Sequence, residues 1–360
     1  MYEKILKPIF FWFDPEHVHD FFTWVGAMLG AFAFTRWIVA ASCDYEHPSL
    51  ATRVLGIDFK NPIGLGAGFD KDVQLTKIMP AVGFGFMEVG AITHFPYEGN
   101  KGLRLASLPD DQSLIVYYGL KNTGAEAIEK RLKRMKFTFP VGINIAKTNR
   151  ADIKGEKSVE DYVATYTMLA RYFSYVTLNV SCPNTKHGGI FFSSEPAALA
   201  GLVGQVRAVA KRPLIVKLSP NVASIQPFAK AAEEAGADAL SLVNTFISLA
   251  IDIETRRPRI GAGFGGLSGP AIKPIALRMV YEAAHVVRIP VIGLGGIASG
   301  ADAAEFLIAG ARAVQVGTAN FADPTAPQRI AHELDEVLEK LGVGKVSDLV
   351  GTIQFPGSAK

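Results

Sequence analysis

Eight short runs of β-branched and apolar residues, spaced so that a helix fits between neighbours, constrain this chain more than any other feature. They lie at 62–65, 84–89, 141–145, 176–180, 214–218, 239–243, 291–294 and 313–316. Amphipathic stretches at 158–172, 196–209, 225–235, 273–287 and 301–308 separate several of them, some opened by a Ser, Asp or Pro start signal. Repeated strand-then-helix units predict an α/β fold, a closed (β/α)8 TIM barrel with eight parallel strands. An open doubly wound sheet shares the alternation. Against it, no GxGxxG follows the first run, and glycine-rich signals cluster late in the chain, at the seventh and eighth runs, where barrels bind phosphate.

The chain has 360 residues, more than the roughly 250 typical of such a barrel. The excess falls in a small N-terminal helical extension, 1–45, ahead of a barrel over 46–360. It also falls in two long connections, 90–122 and 244–270, expected to be lids or disordered segments on the active-site face. A 49% hydrophobic, 20% charged composition supports a sizeable core. With 37 basic against 34 acidic residues and no basic stripe, no nucleic-acid partner is expected. Cys43 and Cys182 are the only cysteines, which argues against a disulfide framework and for a reducing compartment.

Residues 21–35 are uncharged and rich in Phe, Trp, Ala and Gly, and Arg36 interrupts them. The run falls short of the about 20 apolar residues of a spanning helix. His17, His19 and Asp20 precede it, unlike the start of a signal peptide. A helix or helix pair lying on a bilayer surface is the expectation.

Four constellations follow expected strands and converge on one rim. In Gly64-Leu65-Gly66-Ala67-Gly68-Phe69-Asp70-Lys71, small residues would let backbone approach a planar ligand beside the Lys71 cation, or the segment is a tight turn with a solvated lysine. Asn179-Val180-Ser181-Cys182-Pro183-Asn184 places two amides and a thiol together. Amides suit an imide edge, and a thiol near cations can serve as a thiolate base or nucleophile. Lys217 ends an apolar run with no acid nearby in sequence, and Asn244 and Thr245 follow the next run. An anionic ligand, or a solvent-facing strand end, would account for that lysine. Glycine turns at 265–269, 293–297 and 315–318 supply backbone N–H groups suited to a phosphate. A phosphate site among side chains without redox capacity points to a cofactor that carries the chemistry, and FMN fits. No metal site is expected.

At these motifs the sequence resembles the dihydroorotate dehydrogenase family over nearly its whole length. Residues 2–19, with Phe13-Asp14-Pro15-Glu16 and His19, then Asn61-Pro62-Ile63-Gly64-Leu65 and Ala67-Gly68-Phe69-Asp70-Lys71, look like the membrane-associated, quinone-reducing class 2 enzymes. Ser181-Cys182-Pro183-Asn184, Ala250-Ile251-Asp252-Ile253-Glu254-Thr255 and 265–277 are similar to soluble class 1 enzymes, especially the NAD-linked subgroup. Class 2 enzymes carry serine where Cys182 stands.

The resemblance implies that Cys182 removes the C5 proton of dihydroorotate while the C6 hydride passes to FMN. Lys71, Asn179, Asn184, Asn244 and Thr245, with Gly119 and Leu120 of the loop motif, would hold the substrate. Ala67, Gly68, Lys71, Asn144, Asn179 and Lys217 would contact the flavin. Gly266, Ser268, Gly269, Gly295, Gly296, Gly317 and Thr318 would take its phosphate side. Electrons would pass to a membrane quinone, with the extension on the cytoplasmic side of the cell membrane. The alternatives are fumarate, NAD through a partner subunit, a related flavoprotein with another substrate, and a flavin-binding protein without turnover. Two departures stand out. Val116 occupies a place where the family usually has a substrate-bonding Asn, and Ala91 one where class 2 enzymes commonly have Thr.

Overall fold

The computed structural model describes residues 15–181 and 191–356. All eight expected runs fold as strands of one closed parallel barrel. They are β1 (Ile63–Leu65), β2 (Phe86–Ile92), β3 (Val141–Ala146), β4 (Tyr175–Asn179), β5 (Leu214–Lys217), β6 (Ala239–Leu242), β7 (Val291–Leu294) and β8 (Ala311–Val316). Each pairs with its neighbours in chain order, and β8 closes on β1 through Val314 opposite Ile63 and Val316 opposite Leu65. Most of these strands are buried on both faces, which is why they read as continuous apolar runs without alternation.

The barrel interior is layered. Phe86, Tyr175, Ile215, Ala239, Ile292 and Ala313 form an apolar plug near the strand starts, closed from below by Val54 and Phe59 of the hairpin Thr52–Val54/Ile57–Phe59. Glycine makes room for the large members: a Cβ on Gly142 would stand 2.0 Å from the Tyr175 ring. Two residues further along the same strands the inward positions turn polar, with Glu88, Asn144, Thr177, Lys217, Ser241 and Gln315, all buried. An apolar bottom thus supports a polar floor, and everything chemical lies above it.

Helices α3 (Ala125–Leu132), α4 (Glu156–Leu169), α5 (Pro196–Val209), α6 (Gln226–Glu234), α7 (Lys273–Ala284), α8 (Gly300–Ile308) and α9 (Ala326–Leu341) cover the outside. The connection from β1 to β2 is made of turns, in which buried Asp70 accepts the N–H groups of Gln74 and Leu75.

The two long connections, expected as lids or disorder, pair with each other instead. Leu105–Leu108 and Ser113–Val116 from the first join Phe246–Ser248 and Gly265–Ser268 from the second in a four-stranded antiparallel sheet over the barrel mouth. This corrects the reading of 265–269 as a glycine turn. Gly265 and Gly266 are strand residues in the connection after β6. They are glycine because a Cβ there would meet Ile260 and Ile115, or the Thr245 hydroxyl at 2.1 Å.

The described part of the extension is a helix pair, α1 (Pro15–Ala31) and α2 (Ala33–Cys43), bent by 111°. Phe32 is extended at the break, and the Arg36 guanidinium donates to the Gly30 carbonyl at 2.7 Å, satisfying the exposed end of α1. Gly26 and Gly30 let α1 lie directly on Leu75 and Ile78 of the β1–β2 turns. Among the described residues no single helix is long and apolar enough to cross a membrane. The other face of the pair exposes Trp24, Phe32, Phe34 and Trp37, each 60 to 68% accessible.

Candidate active site

A cavity of about 230 Å³ opens at the carboxyl ends of the barrel strands. Fifteen residues singled out from the sequence line it: Ala67, Gly68, Lys71, Gly119, Leu120, Asn179, Lys217, Asn244, Thr245, Ser268, Gly269, Gly295, Gly296, Gly317 and Thr318. Asn144 sits a layer lower, and Gly266 faces Thr245 from the overlying sheet. Cys182 and Asn184 lie outside the described residues.

One side of the cavity suits a phosphate. Gly269, Gly295 and Gly296 all have positive φ, and the Gly269 carbonyl packs within 2.9 Å of where a Cβ of Gly296 would stand. The Thr318 hydroxyl donates to Ser268 at 2.9 Å, tying the end of β8 to the overlying sheet. Three backbone segments thus meet in one small concavity ahead of α7.

Other residues of the same cavity suit an anionic ring. Lys71 is pushed down to about 8, first of all by burial. Its ammonium group lies 4.5 Å from the centre of the Tyr118 ring. Gly119 and Leu120 beside it are both left-handed. Asn149 donates to the Gly119 carbonyl at 3.2 Å, and Asp161 holds the neighbouring Thr148 by its N–H and hydroxyl, both at 2.8 Å. The Asn244 amide donates to Asn179 Oδ1 at 3.1 Å and to Ser181 Oγ at 2.9 Å, so the two amides are locked together. Val116 and Ala91, the two departures, also line the wall.

A second cavity of about 350 Å³ lies between the extension and the barrel. Val18, Phe22, Val25 and Leu29 of α1 face Leu75, Ile78 and Met79 across it. Phe69, Leu114 and Phe321 line both cavities. His19 stands at this junction, its Nε2 2.8 Å from the Phe69 carbonyl and its ring stacked on Phe321 at 5.4 Å. Burial lowers its pKa below the usual 6.5, so the ring is neutral at pH 7. Phe321 and Glu88 were not singled out from the sequence.

A family model described as dihydroorotate dehydrogenase matches residues 49–338. The chain belongs to the dihydroorotate dehydrogenase family. A protein of Solibacter usitatus with the provisional name dihydroorotate dehydrogenase A (fumarate) is 53% identical, covering 86% of this chain and 99% of that one. The catalytic subunit of dihydroorotate dehydrogenase B (NAD(+)) of Geobacter sp. is 40% identical over the same share of this chain and 100% of its own. A crystal structure of ligand-free DHODH from Eimeria tenella superposes with a TM-score of 0.83 at 28% identity, covering 95% of this chain and 100% of that one. That coverage leaves 18 of 360 residues outside, fewer than the 48 ahead of the family match, so the likeness takes in part of the extension.

The residues around the cavity fit the flavin that the family resemblance implies. Asn144 Oδ1, Thr245 Oγ1 and Gln315 Oε1 are buried with no hydrogen-bond partner among the described residues. Buried acceptors without donors are costly, and the N–H and O–H groups of a flavin would serve them. The glycine concavity answers its phosphate, and Gly317 leaves open space beside its Cα.

Proposed function

We propose that this chain oxidises (S)-dihydroorotate to orotate in de novo pyrimidine biosynthesis, with FMN as its cofactor. The observation that carries this reading is a half-buried cation, Lys71, and a locked amide pair, Asn179 and Asn244, in the same cavity as a glycine phosphate cradle. FMN supplies hydride acceptance from the substrate. Lys71 and the left-handed Gly119–Leu120 backbone would hold the substrate carboxylate, while Asn179, Asn244 and Thr245 would align the ring. Lys217, with Asn144 beneath it, would face the flavin. Cys182, with Asn184 beside it, would reach over from the segment after β4 and take the C5 proton, and the antiparallel sheet would keep water out. Anaerobic addition of dihydroorotate should bleach the flavin; an unchanged spectrum refutes the substrate.

For the acceptor, the geometry favours a membrane quinone. An apolar cavity under α1 shares Phe69 and Phe321 with the cavity that would hold the flavin, and the exposed aromatic face of the helix pair suits the headgroup layer of a bilayer. On this reading residues 1–45 form a membrane-associating unit on the cytoplasmic side and 46–360 the catalytic barrel.

A second reading rests on the relatives. The names of those matched over the barrel specify fumarate and NAD(+), which favours a soluble acceptor, and a partner subunit in the NAD case. Their likeness covers 86% of this chain. Reoxidation of the reduced protein by quinone, fumarate and NAD in turn separates the readings. Fumarate faster than a short-chain quinone would overturn the first.

A further inference from the structure

Glu88, on β2, is fully buried in the polar floor below the cavity and serves none of the roles assigned above. Its carboxylate accepts three hydrogen bonds from across the barrel. Asn144 Nδ2 donates to Oε1 at 2.8 Å, Thr177 Oγ1 to Oε2 at 2.6 Å, and Gln315 Nε2 to Oε2 at 3.3 Å. An amide that turns its NH2 toward a carboxylate must turn its carbonyl elsewhere. The two carbonyl oxygens concerned, Asn144 Oδ1 and Gln315 Oε1, are both left buried without a partner among the described residues, and Gln315 lines the cavity.

We infer that Glu88 is a positioning residue that makes the cavity floor an acceptor surface, holding the carbonyls of Asn144 and Gln315 toward the N–H and O–H donors of a flavin. The inference rests on the FMN reading. Only a group that accepts at both oxygens can impose this polarity. A glutamine at 88 has one acceptor and one donor end. If its carbonyl keeps Asn144, its NH2 faces Gln315, which must invert; if its carbonyl keeps Gln315, Asn144 must invert. Thr177 adapts either way, because a hydroxyl donates or accepts. One floor amide then presents NH2 where an acceptor stood.

The test is titration of flavin-stripped protein with FMN, followed by flavin fluorescence, together with the absorption spectrum and midpoint potential of the bound flavin. Glu88→Gln should weaken FMN binding by about tenfold to a hundredfold and shift both the spectrum and the potential. Adding Gln315→Glu to Glu88→Gln restores a carboxylate-to-amide pair with an acceptor toward the cavity, and should bring affinity back to within about threefold of wild type. Should Glu88→Gln fail to fold, Gln315→Leu removes the cavity-facing carbonyl with Glu88 in place and should weaken binding by a similar factor. Unchanged affinity and spectrum in either single variant, or weakened binding that the double variant does not restore, overturns the role of Glu88. Wild-type protein that does not take up FMN removes the cofactor reading and this inference with it. Tight wild-type binding with unaltered variants overturns the inference alone.

Discussion

The two cavities share Phe69, Leu114 and Phe321 and are built on opposite principles. The barrel cavity is ringed by fixed polar groups: Asn244 locked on Asn179, Asn149 on Gly119, Glu88 on two amides. Such a site selects a ligand by hydrogen bonds and punishes a mismatch. The cavity under the extension has mainly aliphatic and aromatic walls and suits selection chiefly by shape and apolarity. That division suits two half-reactions, a polar substrate oxidised on one side and an apolar acceptor reduced on the other. Variants in one cavity should therefore leave the other half-reaction intact.

The largest effect should come from Cys182→Ala, which removes the proposed base. Flavin reduction by dihydroorotate should slow by about 10² to 10⁴ while quinone reoxidation of chemically reduced protein stays the same. A loss in both half-reactions, read by stopped-flow absorbance, would break the division. Val18→Asp should do the reverse. A carboxylate in the apolar cavity would be desolvated by a bound quinone, so reoxidation should slow roughly a hundredfold with reduction unaltered.

Within the polar cavity, Val116→Asn should lower the KM for dihydroorotate by about tenfold, by returning a hydrogen bond to a charged ligand. A KM that does not move would mean that the substrate lies away from the strand Ser113–Val116. The pH dependence sharpens Lys71. Its value near 8 means that the cation is lost as pH rises through 8, so KM at pH 9 should exceed that at pH 7 by about tenfold. Stability should run the other way. Between about 8 and 10.5 the unfolded chain still carries the proton the folded chain has released, so ΔG of unfolding rises across that window. The smallest effect concerns the seam between the regions. Glu16 of α1 accepts from Arg104 at 2.6 Å and Lys121 at 2.8 Å. Glu16→Gln should loosen the extension by about 1 kcal/mol, a figure kept low by solvent screening, seen as faster proteolysis ahead of residue 48 with the barrel intact.

The barrel was legible because its strands are buried on both faces. Runs such as 291–294 announce themselves without any neighbour's help, and β7 occupies those residues. The overlying sheet was not, because its strands are short and two of them owe their register to pairing between segments more than a hundred residues apart, as Leu267 does with Ile115. Gly265 and Gly266 read as turn residues, since the side chains that exclude a Cβ there come from elsewhere in the fold. The cavity residues emerged from their place after strands. Glu88 did not, although a lone acid inside the apolar run 84–89 was a visible signal that something in the barrel must receive it. The bend at Phe32 depends on Arg36 reaching back to Gly30, a contact no pattern of apolar residues encodes.

The most direct measurement follows the flavin through both halves in one stopped-flow experiment, wild type beside Val18→Asp, with dihydroorotate added anaerobically and then a short-chain quinone or fumarate. Equal bleaching in both proteins, fast quinone reoxidation in the wild type and its loss in Val18→Asp is the expected result. Equal quinone reoxidation in the two proteins, or faster reoxidation by fumarate than by quinone, would contradict the assignment of the apolar cavity as the acceptor's route.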